Sequence, residues 1–328
     1  MVEDYCRFAL NSGSLTARAK QLRHELSAAM IRLDAGRLVA SRDTTGDVGI
    51  GTTVEVQLKR RDLVDSFTAA CKRLTEALRV LAEMAQPIDR AVANTIENLR
   101  YAAYTLEKDI VVFSEPAGKF ARVKLYVLIS SSLPTDVLTL AHQCVAGGAD
   151  CIQLRAKEIN DDEFFGLGCE IVKICRDAGV LSIINDRADI AVAAGADGVH
   201  LGQNDMPVEQ VRRLASSPIV IGKSTHTAEQ VRAACAEMPS YVSLGPVFAT
   251  ATKPSAGPVG LEYARSGLEI LEGTGIGSVA IGGITIDNIE TVLKAGAKVI
   301  AVCSAVTAAI NPTDACRQLK NKLNAFLS

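Results

Sequence analysis

The chain has 328 residues, more than one small domain needs, which suggests either two structural units or one large one. Hydrophobic residues make up 48% of the sequence and tryptophan is absent, so we expect a sizeable aliphatic core of the kind that a parallel sheet covered by helices forms. With 35 basic and 37 acidic residues the net charge is −2, which argues against nucleic acid as the main partner.

The nine cysteines are scattered and show no CxxC pattern or other metal-type spacing. Several of them, such as Cys151, Cys169 and Cys303, lie in apolar runs, so they are interpreted as small buried side chains in a reducing compartment. The first residues lack the basic and apolar segments of a secretory signal, and no apolar stretch reaches the roughly 18 residues of a membrane span. We therefore expect a cytoplasmic protein that does not enter a membrane.

Residues 1–118 are predicted to form an all-α domain of unknown role. Apolar residues recur three and four positions apart, as on one face of a helix. The helical stripes are Leu15, Ala19, Leu22 and Leu26, then Leu63, Phe67, Ala70, Leu74, Leu78 and Leu81, and finally Ile88, Val92, Ile96, Leu99, Ala103, Leu106 and Ile110. The polar segment Ser114–Lys119, which contains proline and glycine, is predicted to mark the boundary.

Residues 119–328 show a different pattern, in which short β-rich runs alternate with amphipathic segments. The predicted strands are Leu125–Ile129, Cys151–Leu154, Leu181–Ile184, Gly198–Leu201, Ile219–Ile221, Tyr241–Leu244, Val279–Ile281 and Val299–Val302. Eight strands, each followed by a helix, predict a (β/α)₈ TIM barrel. The alternative is a doubly wound open sheet, which usually has fewer strands and a glycine-rich phosphate loop after the first; here Ser130–Pro134 contains no glycine.

A barrel would place its chemistry at the carboxyl ends of the strands, and two aspartates follow neighbouring strands there. Asp186 comes after the third predicted strand and Asp205 after the fourth, so their carboxylates are expected to converge. Two carboxylates that leave coordination positions open to phosphate oxygens suit Mg²⁺. The plainer alternative is that Asp186 only caps the next helix.

Three cations follow strands at the same predicted end of the barrel. Arg155 and Lys157 come after the second strand, and Lys253 comes after the sixth. Together with a divalent metal they suit a pyrophosphate, although any one of them alone would be an ordinary solvated surface cation.

The last two strands end in residues typical of a second phosphate pocket. TIM barrels often bind phosphate through backbone N–H groups at this place, where the chain has Gly282–Gly283 and Cys303–Ser304. The alternative is that the glycines only permit a tight turn. His200 and His226 are assigned no catalytic role, because His200 lies between apolar residues like an ordinary core histidine.

The predicted barrel resembles a known family, the thiamine-phosphate synthases, also called thiamine-phosphate pyrophosphorylases. The resemblance covers about Leu125 to Phe326 and rests on the order of five motifs. These are Gln153-Leu154-Arg155-Ala156-Lys157, Asn185-Asp186-Arg187, Gly198-Val199-His200-Leu201-Gly202-Gln203, Gly245-Pro246-Val247-Phe248 with Thr250-Ala251-Thr252-Lys253, and Ile281-Gly282-Gly283-Ile284-Thr285. The helical part resembles the N-terminal extension that some members carry.

The resemblance implies a transferase that joins an aminopyrimidine methyl diphosphate to a thiazole phosphate, with Mg²⁺ as cofactor. The pyrimidine diphosphate would be bound by Gln153, Arg155, Lys157, Asn185, Ser224 and Lys253. The thiazole phosphate would be held by Thr250, Thr252, Gly283, Cys303 and Ser304. The metal would be held by Asp186 and Asp205. The residues expected to take part in catalysis are Arg155, Lys157, Ser224 and Lys253.

Three departures from the family pattern, Ala156, Lys223 and Cys303, remove no diphosphate or metal ligand. Two alternative functions stay open, a thiazole tautomerase and a regulator that binds thiamine phosphate without turnover. The retained aspartates and cations argue against the first. The expected partners are small-molecule substrates, with no nucleic acid and no membrane; whether the chain forms a homo-oligomer, and whether its thiazole is carboxylated, is left open.

Overall fold

The computed structural model describes residues 1–43, 45–46, 59–130, 136–156, 159–250 and 257–327. Contacts within the chain divide it into two compact units, Met1–Val111 and Val112–Ser328. Each unit has a hydrophobic core of its own.

All regular elements of the first unit are helices in its described residues. Its helices are α1 (Val2–Asp4), which continues as a wider π-helical stretch over Tyr5–Ala9, α2 (Gly13–Ile31), α3 (Ala35–Ala40), α4 (Leu63–Ala85) and α5 (Arg90–Phe120). Side-chain caps begin three of them: Ser12 accepts from the amide of Leu15, Asp62 from that of Asp65, and Asp89 from that of Val92. The predicted stripes supply the core, in which Leu78, Ile96 and their neighbours are buried. The all-α prediction for this part of the chain is confirmed.

The polar segment Ser114–Lys119, which was predicted to mark the boundary, lies inside the helix α5. Buried aromatic side chains on either side of it explain the continuity of the helix. Phe113 is buried, and Phe120 is 2% exposed and stacks on Tyr241 with the ring centroids 4.0 Å apart. This apolar anchoring outweighs the cost of Pro116 and Gly118 within the helix.

The second unit is a closed barrel of eight parallel strands in sequence order, with β1 paired to β8. The strands are β1 (Leu125–Ser130), β2 (Cys151–Arg155), β3 (Leu181–Asn185), β4 (Gly198–Leu201), β5 (Val220–Thr225), β6 (Tyr241–Leu244), β7 (Gly277–Ile281) and β8 (Ile300–Val302). The predicted TIM barrel is confirmed, and the open-sheet alternative is wrong because β8 closes on β1.

Helices follow the strands and cover the outside of the barrel. They are α6 (Val137–Ala146), α7 (Asp161–Ala178), α8 (Ala188–Ala193), α9 (Val208–Leu214), α10 (Ala228–Glu237), α11 (Gly260–Leu271), α12 (Ile289–Lys294), α13 (Ser304–Thr307) and α14 (Pro312–Leu327). None of the helices in the described ranges combines the length and the apolar character that a bilayer crossing requires.

Side chains alternate between the outside and the inside of the barrel, because successive residues of a strand point to opposite faces. In β1, for example, Leu125, Val127 and Ile129 pack outward against the helices, whereas Tyr126 and Leu128 belong to a separate core inside the barrel. The outer core is aliphatic. The inner core includes two tyrosines and is closed at the amino-terminal end of the strands by Phe120.

We expect Phe120→Ala to lower the free energy of unfolding of the barrel by about 3–5 kcal/mol, because it removes a buried ring and leaves a cavity beneath Tyr241. Urea titration followed by circular dichroism measures the change. Phe165→Ala is the matched control, since Phe165 is 40% exposed, and it should cost much less. Equal losses in the two variants would contradict the anchoring role of Phe120.

Candidate active site

A cavity of about 910 Å³, counted with its open mouth, lies at the carboxyl ends of the barrel strands. Every strand contributes at least one lining residue, and so do the loops after β6, β7 and β8. This is the end of the barrel at which TIM-barrel enzymes carry their active sites.

Most of the predicted site residues are brought together in this cavity. Eight of them line it: Gln153, Arg155, Asn185, Ser224, Thr250, Gly283, Cys303 and Ser304. Lys157, Thr252 and Lys253 lie outside the described residues. Asp186 and Asp205 follow β3 and β4 at the same end of the barrel but do not line the cavity itself.

The alternation of side chains explains why these residues converge. In β2 the outward residues Ile152 and Leu154 pack in the outer core, so Cys151, Gln153 and Arg155 face inward. The same rule sends Asn185 inward from β3 and Ser224 inward from β5. An inward residue near the carboxyl end of a strand reaches the cavity, whereas one nearer the other end, such as Cys151, is sealed in the inner core.

Five buried side chains form a series of hydrogen bonds across the barrel interior, which we call the interior relay. Gln153 Nε2 lies 2.9 Å from the Tyr126 hydroxyl, which lies 2.9 Å from the Tyr241 hydroxyl. The Tyr241 hydroxyl is 3.0 Å from His200 Nδ1, and His200 Nε2 is 2.9 Å from Ser224 Oγ. The relay thus connects two predicted ligand-binding residues, Gln153 and Ser224, through three residues to which the sequence analysis gave no role.

Two buried polar atoms in the cavity wall have no hydrogen-bond partner among the described residues. They are Gln153 Oε1 and Arg155 Nε. Leaving such an atom unpaired costs about 1–3 kcal/mol, and more for a charged group, so native structures seldom do so without a reason. An unpaired acceptor and an unpaired cationic donor on two residues that line the same cavity are suited to a ligand that carries both an N–H group and an anionic oxygen.

The two candidate metal ligands are held by backbone contacts at the ends of adjacent strands. The amide of Asp186 donates to the carbonyl of His200 at 2.8 Å, with Asp186 at a left-handed φ of +64°. The amide of Gly202 donates to Asp205 Oδ2. Arg187 is the N-cap residue of α8, so Asp186 lies one residue before the position that a capping side chain occupies. Both carboxylates are partly exposed.

The turn after β7 requires two glycines, both because of its backbone conformation and because a side chain would not fit there. Gly282 and Gly283 have φ values of +105° and +63°. A Cβ atom at Gly282 would lie 2.4 Å from Pro246 Cβ, and one at Gly283 would lie 2.5 Å from the Ala249 carbonyl oxygen. No hydrogen bond within the described part of the chain uses the amide of Gly283, which leaves a donor at this edge of the cavity.

The two histidines line the cavity, although the sequence suggested no part for them. His200 is buried and hydrogen-bonded through both ring nitrogens, in agreement with its interpretation as a core residue. His226 Nδ1 lies 2.6 Å from the Gly245 carbonyl oxygen, so Nδ1 carries the proton. Tyr126 and Tyr241 were also missed; the available signal was a tyrosine at an inward position of an otherwise aliphatic strand.

Comparison with known proteins agrees with the fold and shows the family of the chain. Residues 125–306 match the family described as thiamine monophosphate synthase. The chain is 38% identical to the thiamine-phosphate synthase of Prochlorococcus marinus (strain MIT 9313), over 98% of this chain and 91% of that protein. It is also 38% identical to the thiamine-phosphate synthase of Rhodopirellula baltica, over 97% of this chain and 85% of that protein.

This chain belongs to the thiamine monophosphate synthase family. A solved structure, the thiamine phosphate pyrophosphorylase from Pyrococcus furiosus, covers 65% of this chain and 99% of its own length, with 34% identity and a TM-score of 0.58. The resemblance seen in the sequence is therefore confirmed. The chain is a transferase of thiamine biosynthesis that condenses a pyrimidine with a thiazole moiety. Residues 1–109 match a second family, described as the ThiD2 family.

Proposed function

We propose that the chain joins 4-amino-2-methyl-5-pyrimidinylmethyl diphosphate to a thiazole phosphate and releases pyrophosphate as thiamine phosphate forms. One observation carries the proposal: the acceptor Gln153 Oε1 and the donor Arg155 Nε are both buried in one cavity wall without a partner among the described residues. An aminopyrimidine diphosphate satisfies both, through its amino group and a diphosphate oxygen.

In this proposal the pyrimidine ring lies over the inward residues of β2, β3 and β5. Gln153 accepts from the amino group, while Asn185 and Ser224 contact the ring and the adjoining oxygens. All three line the cavity and are held by strands rather than by loops, which favours a fixed orientation of the ring.

The diphosphate would be held by Arg155, with Lys157 and Lys253 as further cations. Asp186 and Asp205 fit Mg²⁺ by their chemistry, since they offer carboxylate oxygens at neighbouring strand ends and leave room for phosphate oxygens and water. When bound there, the metal would neutralise the charge that grows on the leaving diphosphate. The cations of the chain itself orient the diphosphate and stabilise the same charge.

The thiazole phosphate would occupy the opposite side of the cavity, near the ends of β7 and β8. The Gly283 amide is available there as a donor, and Ser304 and Thr250 line the same wall. Thr252 and the Cys303 backbone complete the proposed pocket.

The proposed reaction breaks the bond between the methylene carbon and the diphosphate oxygen, and that oxygen keeps the electron pair. The amino group donates electron density into the ring and stabilises the methylene cation. The lone pair of the thiazole nitrogen then forms the new carbon–nitrogen bond, which leaves the positive charge on the thiazolium ring. Since the nucleophile has no proton to lose, no general base is needed, and the chain contributes position and charge stabilisation.

The deciding experiment mixes the purified full-length chain with both substrates, with and without Mg²⁺, and follows thiamine phosphate and pyrophosphate. We expect the two products in equal amounts and only with the metal. A folded chain that forms no product would contradict the proposal; isomerisation of the thiazole or tight binding of thiamine phosphate would then favour the tautomerase or the regulator.

Arg155→Ala should lower turnover by about 100-fold, because it removes a donor aimed at the leaving group. Lys253→Ala should also lose most turnover. Arg232→Ala is the matched control, since its side chain is 62% exposed and its salt bridge to Glu229 is 3.8 Å long. Steady-state kinetics on variants with unchanged circular dichroism would test this, and near-normal turnover of Arg155→Ala would refute the assignment.

We also propose that residues 1–118 form a separate domain that the reaction does not require. The division of contacts after Val111 and the separate family match over residues 1–109 support this. A truncated chain that begins at Val112 keeps Phe120 beneath the barrel, and we expect its turnover to stay within about threefold of the full chain. A truncated chain that folds but is inactive would show that the helical part takes part in the reaction.

All nine cysteines are free in the structure, which supports a reducing compartment, and we propose the cytoplasm.

A further inference from the structure

The donor at Gln153 allows one direction of donation along the whole interior relay, from Gln153 toward Ser224, and we assign that direction. Gln153 Nε2 donates to the Tyr126 oxygen, and in the order that we assign the Tyr126 proton goes to Tyr241. The Tyr241 proton in turn goes to His200 Nδ1, and the proton on His200 Nε2 goes to Ser224 Oγ. Burial raises the pKa of both tyrosine hydroxyls well above the ordinary value, which keeps each phenol protonated as this order requires.

The direction determines what the two ends of the relay present to the cavity. At one end the Gln153 amide nitrogen is used by Tyr126, so Oε1 remains as an unpaired acceptor on a residue that lines the cavity. At the other end Ser224 Oγ accepts from His200, and its own proton remains to be donated to a ligand. The cavity therefore offers an acceptor and a donor whose polarity is set by the buried groups to which they are hydrogen-bonded.

Packing around the relay opposes its rearrangement. Phe120 stacks on Tyr241 with an interplanar angle of 6°. On the other side, Gly222 leaves the space that the relay fills: a Cβ atom there would lie 2.2 Å from Tyr241 Cζ and 2.6 Å from His200 Nδ1. Close packing on both sides holds the two rings in the positions that the hydrogen bonds need.

We propose that the interior relay is the specificity-determining device of the site: Tyr126, Tyr241 and His200 hold Gln153 with its oxygen toward the cavity and thereby select a 4-aminopyrimidine over the 4-oxo form of the same ring. The inference rests on the proposed function and deepens it. All three are positioning residues, since they act through Gln153 and Ser224.

The two forms of the ring present opposite hydrogen-bond patterns. A 4-aminopyrimidine has an N–H donor on the exocyclic group and an acceptor on the ring nitrogen, which complements Gln153 Oε1 and the Ser224 hydroxyl. The 4-oxo form has an exocyclic acceptor and a ring N–H, so both contacts are mismatched. To receive it, the Gln153 amide must rotate and all four hydrogen bonds of the relay must reverse together, and partial reversal leaves a buried group unpaired.

The test is a pair of dissociation constants for the full-length chain, measured by isothermal titration calorimetry with Mg²⁺ and without the thiazole substrate, so that no turnover occurs. The ligands are the 4-aminopyrimidine methyl diphosphate and its 4-oxo analogue. We expect the wild-type chain to prefer the amino form by at least about 100-fold. Tyr126→Phe frees the Gln153 amide to rotate and should reduce that preference by about tenfold or more.

Tyr241→Phe breaks the relay one bond further on and should reduce the preference similarly, so the test does not depend on one variant folding. Tyr263→Phe is the matched control: its hydroxyl donates to Thr225 Oγ1 at 2.8 Å, outside the relay, and its loss should leave the preference unchanged. If the relay variants weaken both ligands by the same factor, the role is structural only and the proposal is overturned. If the wild-type chain turns over its substrates but binds both ligands equally, the proposed selectivity of the relay is overturned and the proposed function stands. If the wild-type chain neither binds the ligands nor reacts, the proposed function is overturned as well.

Discussion

Closure of eight parallel strands into one barrel is the constraint on which the rest of the site depends. Closure gives every strand an inside and an outside, and the two-residue period assigns each side chain to one of them. Outward aliphatic residues such as Ile152 and Leu154 then join the helices in the outer core. The inward residues near the carboxyl ends, such as Gln153, Asn185 and Ser224, line the cavity.

The inside of this barrel is polar where it forms the floor of the cavity. TIM barrels are usually filled by layers of aliphatic side chains, but here Tyr126, Tyr241 and His200 take that place and are hydrogen-bonded to one another. A buried polar network is stabilising only when its members find partners. In this network the unpaired acceptor, Gln153 Oε1, lies at the end that faces the cavity. Packing of the barrel and polarity of the site are therefore determined by the same side chains.

The described residues suit a reaction that needs charge stabilisation more than proton transfer. Both cavity histidines use ring nitrogens in contacts with protein groups: His200 with Tyr241 and Ser224, and His226 with the Gly245 carbonyl oxygen. Arg155 meanwhile presents a buried N–H donor toward the cavity. A nucleophile without a proton and a leaving group with several negative charges match such a site, since preorganised donors stabilise charge most effectively where water is excluded.

The sequence by itself determined the barrel, the helical first unit and the strand ends at which the predicted site residues collect. Period-two and helical patterns, turn residues and family motifs are all local features of the chain, which is why they can be read from it. It did not reveal that Ser114–Lys119 continues a helix, since the burial of Phe120 beneath Tyr241 joins residues 121 positions apart. The interior relay was likewise not predicted, because its five members come from five different strands and meet only when the barrel closes. Only the tertiary structure decided which polar side chains are hydrogen-bonded to one another and which buried polar atoms remain without a partner among the described residues.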